Sequence, residues 1–200
     1  HFVLGEAEEV MEQVVADPAA QSKTLAAARY RLGCCYDKQD MPDKAAAALA
    51  AFAEQHADSE LAGPAMYQAG LAYARAGKLD QAAKLLAGFT ERYPEHEQAG
   101  GAMLKLGEVL AQGREYEKSA AAYEAFLRKF PQDKLAYAAN FGIGVSLEGR
   151  RKYDQARKAY EKVTAVHSGP TAARAQFQIG ACYLAEGRHE KAAAELLKVE

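Results

Sequence analysis

Hydrophobic and polar positions alternate along this chain with the period of an α-helix, and the pattern itself returns at a longer interval. The stretch AGLAYARAGKLDQA at residues 69–82 has counterparts in LGEVLAQGREYEKS, IGVSLEGRRKYDQA and IGACYLAEGRHEKA. One glycine recurs in steps of 37, 37, 37 and 36 residues, at Gly33, Gly70, Gly107, Gly144 and Gly180. Self-similarity at a fixed period of this length indicates a repeat architecture.

Each copy contains two helical stripes separated by a short turn. In the first half, small or apolar residues fall five and one before the glycine and three after it, which is one face of an α-helix. In the second half, Ala82, Leu86, Phe89 and Tyr93 form another stripe, and a small residue always follows the glycine by twelve positions. Segments such as AGKLD and EGRHE carry turn-forming residues between the stripes. The pattern predicts one helical hairpin per copy.

The recurrent glycine lies inside a predicted helix, where it costs roughly 1 kcal/mol relative to alanine. We therefore expect it to allow close approach of the two helices, with Gly70, for example, meeting the small residue Ala82. Asp43, Asp80 and Asp154 precede the predicted second helices. We expect these carboxylates to cap the free backbone N–H groups there.

A single hairpin cannot bury both of its apolar faces, so we expect stacked hairpins that bury them against their neighbours. The predicted fold is an all-α solenoid of stacked antiparallel helix hairpins, forming one array over residues 1–200. Its predicted segments are the second helix of a truncated repeat at 1–20, repeats at 24–60, 61–97, 98–134 and 135–170, and a C-terminally truncated repeat at 171–200.

The order Leu/Ile-Gly-x-x-Tyr, a Gly turn, Tyr-Asp-x-Ala, an aromatic residue four positions on and a closing Pro resembles the tetratricopeptide repeat (TPR). Two sets of residues carry it: Ile143, Gly144, Tyr153, Ala156 and Tyr160, and Gly70, Tyr73, Gly77, Ala82 and Pro94. The resemblance covers nearly the whole chain and implies a right-handed TPR superhelix. The copies exceed the family's usual length of about 34 residues, and the extra residues lie between hairpins.

The connector F-x-x-[RK]-[YF]-P, followed by an Ala-rich helix, resembles bacterial cell-envelope members of the family. Examples are the Tol–Pal-associated periplasmic protein and the lipoprotein of the outer-membrane barrel-assembly machine. This likeness favours the periplasm or cell envelope of a bacterium over the cytoplasm, although related spacing also occurs in cytoplasmic members. The longest run of small apolar residues, 45–53, is too short to span a bilayer, so no direct membrane insertion is expected.

The resemblance implies that partner binding takes place on a concave face built mainly from first helices. Three columns should point there: one lies three positions before the recurrent glycine, one directly after it, and one a turn further on, at Asp37, Ala74, Ala111, Glu148 and Leu184. We call the following residues the ladder: Tyr30, Cys34, Tyr67, Leu71, Leu104, Glu108, Phe141, Val145 and Phe177. An apolar, partly aromatic groove of this kind suits a peptide or an amphipathic helix of a partner protein. The alternative for each ladder residue is simple packing on a neighbouring hairpin.

These patterns predict a non-catalytic scaffold for protein–protein interaction. The alternative is an assembly module that stacks through its terminal faces and associates with itself. No HExxH, CxxC, GxSxG or P-loop motif occurs, so we expect no enzyme activity, no metal and no cofactor. A carboxylate clamp for chaperone C-termini is not expected either, because its Lys and Asn columns hold residues such as Tyr67 and Leu71. Arg174 and Gln178 match that clamp only in part.

The net charge of −2 argues against a general nucleic-acid-binding protein. The locally basic stretch GRRKYDQARKAYEK at residues 149–162 is expected to be a solvated face, with an RNA or lipid-headgroup patch as the alternative.

Cysteine and histidine are two further residue types of this chain that could carry chemistry. Cys34, Cys35 and Cys182 are expected to be small buried apolar residues. His56 and His167 share a column with aromatic residues of other copies, and we expect them to substitute for those aromatics rather than to act as bases.

Overall fold

The computed structural model describes residues 2–16 and 22–199, with side chains described for residues 9–16 and 24–199. These ranges contain eleven α-helices and no β-strand. The helices are α1 (Phe2–Ala16), α2 (Ser22–Lys38), α3 (Pro42–Gln55), α4 (Ala62–Arg75), α5 (Leu79–Arg92), α6 (Ala99–Gln112), α7 (Tyr116–Lys129), α8 (Ala136–Gly149), α9 (Tyr153–Val166), α10 (Pro170–Ala185) and α11 (His189–Leu196). Residues 1 and 17–20 of the first predicted segment and residue 200 of the last one lie outside the described residues, and the predicted segment boundaries stay a prediction.

Three residues join the helices within each predicted hairpin, and all five turns share one backbone geometry. The residue seven positions after the recurrent glycine has a positive φ: 57° at Asp40, 74° at Gly77, 60° at Arg114, 58° at Arg151 and 72° at Gly187. The next N–H then donates back to the first helix, as from Lys78 to the Tyr73 carbonyl oxygen at 2.9 Å. A left-handed residue followed by such a bond ends a helix. Glycine occupies this position in two of the five turns, so the turn geometry does not depend on glycine.

The expected aspartate caps are wrong. The residues before α3, α5 and α9 are Met41, Lys78 and Lys152, and no side-chain cap hydrogen bond forms at any of these helices. Asp43, Asp80 and Asp154 instead lie in the first helical turn. A carboxylate there still stabilises the helix through its attraction to the positive end of the helix dipole.

The recurrent glycines do allow close helix approach, but the expected partner is wrong. A Cβ built on Gly70 would lie 2.8 Å from Leu86 Cγ, whereas Ala82 offers only its carbonyl oxygen at 3.6 Å. In all five hairpins the residue over the glycine is the large one sixteen positions later: Leu49, Leu86, Tyr123, Tyr160 and Leu196. The glycine therefore makes room for a large side chain of the second helix. The small residue one helical turn before that side chain allows the two helix backbones to approach each other.

The chain divides into two compact units, residues 1–102 and 103–200, with the division inside α6. In unit 1, α3 packs on both α2 and α4, and α5 packs on α4. Its core contains Leu49, Phe52, Ala65 and Ala69. Helix α1 covers α2, where Met11 packs on a second cluster. Successive hairpins thus bury their apolar faces on one another, as the sequence pattern predicts.

Unit 2 repeats this arrangement from α7 to α11, each helix packing on the next. The buried Tyr123 ring lies close to two glycines of this unit. A Cβ on Gly107 would lie 2.6 Å from this ring, and a Cβ on Gly142 would lie 2.3 Å from it. Beside the ring, the buried Ser119 hydroxyl lies 2.8 Å from the Ser146 hydroxyl, and Ser119 also donates to the Gly107 carbonyl oxygen at 2.7 Å. This pair links α7 to the following helix, α8.

Candidate functional site

The ladder residues lie on first helices, but they are less open than an empty groove would require. In unit 1, Tyr30 and Cys34 lie on α2, and Tyr67 and Leu71 lie on α4; all four are half-buried. The Tyr30 ring lies 5.4 Å from the buried Phe52 ring, and the Tyr67 ring lies 5.5 Å from that of Phe89. Burial raises the pKa of both tyrosines. Both rings therefore support their own hairpin as well as offering an exposed edge.

Polar contacts tie α2 to α4 across the unit 1 ladder. The Cys34 thiol lies 3.7 Å from the Gln68 side-chain oxygen. One turn further along, Arg75 forms an ion pair with Asp37. These contacts hold the two first helices side by side, which gives the ladder in this unit a defined spacing.

In unit 2 the first two ladder residues are the least available for a partner. Leu104 packs against the cluster around Tyr123 and Phe126. Glu108 is exposed, but its carboxylate accepts from Lys105 at 3.0 Å and from Gln112 at 3.1 Å. Glu108 is thus already partnered, and a ligand would have to compete for it.

The open part of the ladder lies on α8 and α10. The Phe141 ring contacts the buried Tyr160 ring at 5.4 Å, and the Arg174 guanidinium lies 5.1 Å from the Phe141 ring centroid. Phe177 is 54% exposed, the most accessible aromatic residue of the ladder. Together with Gln178 these residues line an open cavity of about 440 Å³. This volume falls within the range of about 300–1,000 Å³ that is typical of ligand sites.

Arg174 and Gln178 are functional candidates that the ladder pattern did not include. They lie on α10 six and two positions before Gly180. Gln178 has a counterpart in Gln68, which occupies the same position of an earlier repeat. Arg174 has none, because no other repeat places an arginine at its position. A comparison of equivalent positions identifies residue types that recur in several repeats. It does not identify a side chain that occurs in a single repeat.

The family profile described as tetratricopeptide repeat matches residues 67–134 and 135–200, and a second profile with the same description matches residues 27–59. The chain belongs to the tetratricopeptide repeat family. Members of this family are helical scaffolds for protein interaction, and this chain is a scaffold of that type. A comparison with curated proteins finds no match.

Solved structures share the tetratricopeptide fold of the chain at low sequence identity. MamA from Desulfovibrio magneticus RS-1 is 20% identical with a TM-score of 0.71, over 87% of this chain and 92% of that chain. BtubC from P. vanneervenii is 17% identical with a TM-score of 0.68, over 98% of this chain and 87% of that chain. A putative kinesin light chain from Podosopora anserina with TPR-like repeats is 15% identical with a TM-score of 0.66, over 86% of this chain and 92% of that chain. These likenesses confirm an α-solenoid of helix hairpins.

The expected solvated basic face of this TPR chain is wrong at one residue. Arg157 in α9 is only 3% exposed. Its guanidinium bonds to Glu186 at 2.7 Å and to Asp154 at 3.1 Å, and it lies 4.2 Å from the Tyr183 ring centroid. Arg157 therefore joins α9 to the C-terminal end of α10, and its pairing explains how a charged residue is tolerated in the core.

The two histidines behave differently. The His56 ring lies 5.1 Å from Phe52, just as Tyr93 lies 5.5 Å from Phe89, so the expected substitution for an aromatic residue is confirmed for His56. His167 instead stacks on Tyr137 at 3.9 Å, with ring planes 5° apart. His167 ends its helix in an extended conformation, with φ −131° and ψ 147°, whereas the equivalent Tyr93 has φ −126° and ψ 53°.

Among the residues that the structure describes, no group of His, Cys, Asp and Glu side chains is arranged to hold a metal ion. Within the same part of the chain, no helix has the length and apolar character needed to cross a membrane.

The cysteines are buried to different degrees. Cys182 is fully buried, as expected, whereas Cys34 and Cys35 are only half-buried and so depart from the expectation. Burial, with a smaller effect from the Glu148 carboxylate, raises the pKa of the Cys182 thiol to about 12. Because the thiolate is the reactive form, this buried thiol is protected from electrophiles.

We expect Cys182 to react with iodoacetamide at neutral pH on the order of a thousandfold more slowly in the native chain than in urea, since both the thiolate population and access are reduced. Mass spectrometry of peptides after timed alkylation measures this, and Cys35 provides the internal control because it is half-buried and should label first. Equal native and urea rates at Cys182 would contradict the packing described for α10.

Proposed function

We propose that this TPR chain is a non-catalytic scaffold whose ladder binds a short segment of a partner protein, either an extended peptide or an amphipathic helix. The observation that carries the proposal is the open cavity on α8 and α10, where Phe177 is 54% exposed beside Phe141 and Arg174. A large aromatic side chain exposed next to a concave surface is typical of a site that a partner covers. The half-buried ladder residues around it would supply additional apolar contact area.

The most informative ladder substitution is Phe177→Ser. Tyr67 and Phe141 both lean on buried rings of their own hairpins, so changing them would disturb packing as well as binding. Phe177 is more exposed, and its loss should leave the stability of the chain nearly unchanged. We expect Phe177→Ser to weaken partner capture about tenfold or more, since aromatic anchors dominate such interfaces.

Affinity capture from the lysate of the source cells, quantified by mass spectrometry, measures this effect. The matched control is Val166→Ser, another exposed apolar residue of unit 2, at 75% exposure, outside the ladder. A partner that is lost with Phe177→Ser and kept with Val166→Ser supports the ladder. If the two variants retain every captured protein equally, the ladder is not the binding site.

A second candidate function is assembly through the last hairpin. Leu184 is 47% exposed and Leu197 is 85% exposed, so α10 and the residues after α11 present apolar surface. Such surface in a repeat array suits stacking on another hairpin. Light scattering over a concentration series separates the two functions, because a strict monomer at high concentration excludes assembly.

For the compartment, we propose the periplasm or cell envelope of a bacterium. The support is the likeness of the connectors, such as the one ending at Pro94, to cell-envelope TPR proteins. Fractionation of cells that express the natural gene product tests the proposal, and recovery in the cytoplasmic fraction alone would refute it.

A further inference from the structure

Unit 2 contains another groove, which we call the outer groove, between α7 and α9 with α8 beneath it. Its volume is about 460 Å³. Leu127, Ile143 and Leu147 form an apolar floor, and each of them is half-buried. The floor is firmly supported, since Leu127 and Ile143 pack on the core cluster of Tyr123 and Phe126.

The outer groove is separate from the ladder. An α-helix turns by about 100° per residue, so residues two positions apart lie on nearly opposite faces. On α8 the floor residues Ile143 and Leu147 therefore face away from the ladder residues Phe141 and Val145. A ligand in the outer groove would leave the ladder free.

Three cations line the outer groove against one carboxylate, that of Glu124. The Arg128 side chain is 72% exposed and lies 4.0 Å from Glu124, a weak contact. The Lys158 side chain is 70% exposed and pairs with Asp154 at 3.1 Å. Lys162 is exposed and has no ion pair among the described residues. Residues 103–200 as a whole contain sixteen Lys and Arg against twelve Asp and Glu, although the entire chain has a net charge of −2.

The corresponding positions of unit 1 show that this charge does not come with the fold. Two repeats earlier, Arg128, Lys158 and Lys162 are replaced by Glu54, Lys84 and Gly88. The methyl group of Met66 also approaches there, 2.6 Å from where a Gly88 Cβ would lie, so the space is partly filled. These three positions thus carry one cation and one anion in unit 1, and three cations in unit 2.

We propose that the outer groove docks an acidic amphipathic segment of a partner protein. The apolar side chains of that segment lie on the floor, and its carboxylates pair with Lys158, Lys162 and Arg128. Charge complementarity sets the sign of the partner, because the three cations outnumber the one lining carboxylate and would repel a basic segment, whereas a neutral segment would leave Lys162 without a counter-charge. The apolar floor sets the amphipathic character, because a polyanion without apolar groups would leave the floor exposed to water.

The experiment uses the full chain and labelled synthetic peptides of about 14 residues, long enough for three to four helical turns. One peptide carries Leu at helical spacing with Glu elsewhere; its counterparts replace every Glu by Lys, or every Leu by Ser. We expect the Glu/Leu peptide to bind measurably more tightly than either counterpart in fluorescence anisotropy. The double variant Lys158→Glu, Lys162→Glu should weaken this binding about tenfold, as expected for reversing two surface charges.

The matched control is the double variant Lys134→Glu, Lys191→Glu, which makes the same charge change at exposed residues that do not line the groove. It should change the affinity less than about twofold, and Phe177→Ser should not change it. Circular dichroism verifies folding, and the single variant Lys162→Glu provides a change that breaks no ion pair.

Several results would overturn the proposal. Equal binding of the Glu/Ser peptide would mean that only charge attraction operates, as for a nucleic acid. Equal loss in both double variants would mean that the net charge, and not the groove, is responsible. A dimer of the unmodified chain that dissociates in the groove variant would make a second copy the occupant.

Discussion

Replacing Phe89 by alanine is expected to destabilise the chain by about 3–5 kcal/mol, the usual cost of emptying a fully buried phenylalanine site. Phe89 has no exposed surface, and its ring lies 5.5 Å from Tyr67, 5.5 Å from Tyr93 and 5.4 Å from His96. Losing one ring therefore removes the support of three others, two of them at the end of the hairpin and one in the ladder. Urea unfolding followed by circular dichroism measures the change.

The control for this prediction is Phe177→Ala, the same substitution at a ring that is 54% exposed, which should cost less than about 1 kcal/mol. Hydrogen exchange adds a spatial check. Because each repeat contacts only its neighbours, protection should fall first in α4 and α5. Equal costs for the two phenylalanines would contradict the burial described for the core of unit 1.

Replacing Gly142 by leucine is expected to cost about 3 kcal/mol, at the upper end of the range for overpacking a core. A Cβ on Gly142 would lie 2.3 Å from the Tyr123 ring, and the ring has little room to move because a Cβ on Gly107 would also lie only 2.6 Å from it. The Tyr123 side chain is only 7% exposed, so it cannot turn outwards into solvent without losing its buried contacts. The gain in helix propensity from removing a glycine, about 1 kcal/mol, is too small to offset the clash.

A second substitution tests the mechanism. Leu49 and Leu86 hold the Tyr123 position in unit 1, so Tyr123→Leu suits the hairpin and removes the far end of the ring. We expect Gly142→Ala to be destabilising in the natural sequence and close to neutral in the Tyr123→Leu background. This gives a coupling free energy of about 1–2 kcal/mol in a double-mutant cycle. Additive effects would show that the ring is not what excludes a side chain at residue 142.

A matched comparison is available at Gly88. A Cβ there would meet only the terminal methyl group of Met66, a flexible side chain, at 2.6 Å. Gly88→Ala should therefore be neutral or slightly stabilising, because the helix gains propensity while Met66 changes rotamer. Both glycines lie inside helices, and their neighbours in space decide the different outcomes.

The ladder illustrates how far repeat columns predict a site. The columns place Tyr30, Tyr67, Phe141 and Phe177 correctly on first helices, since helical periodicity decides which positions share a face. They do not show how open each position is. The Tyr67 ring packs against the Phe89 ring, whereas the Phe177 side chain is about half exposed. This difference depends on which residues the neighbouring helices supply.

The basic stretch shows the same limit for charge. Residues 149–162 read as a solvated basic face, yet Arg157 is buried against Glu186, a residue 29 positions away. The pairing depends on a contact between α9 and α10 that no local pattern contains. Lys158 and Lys162 do face solvent, and their value as a binding surface comes from Leu127 and Ile143, which α7 and α8 bring beside them.

The sequence by itself determined the repeat period, the all-α class, the two helices of each hairpin and the helix on which each ladder residue lies. These properties follow from spacing along one helix, which is a local quantity. Only the tertiary structure decided that the recurrent glycine makes room for a large side chain such as Leu86, and that the Tyr123 ring lies close to both Gly107 and Gly142. It also decided which cations line a groove. The reason is that the volume and charge around a residue are set by side chains of other helices, whose register the chain specifies only once it is packed.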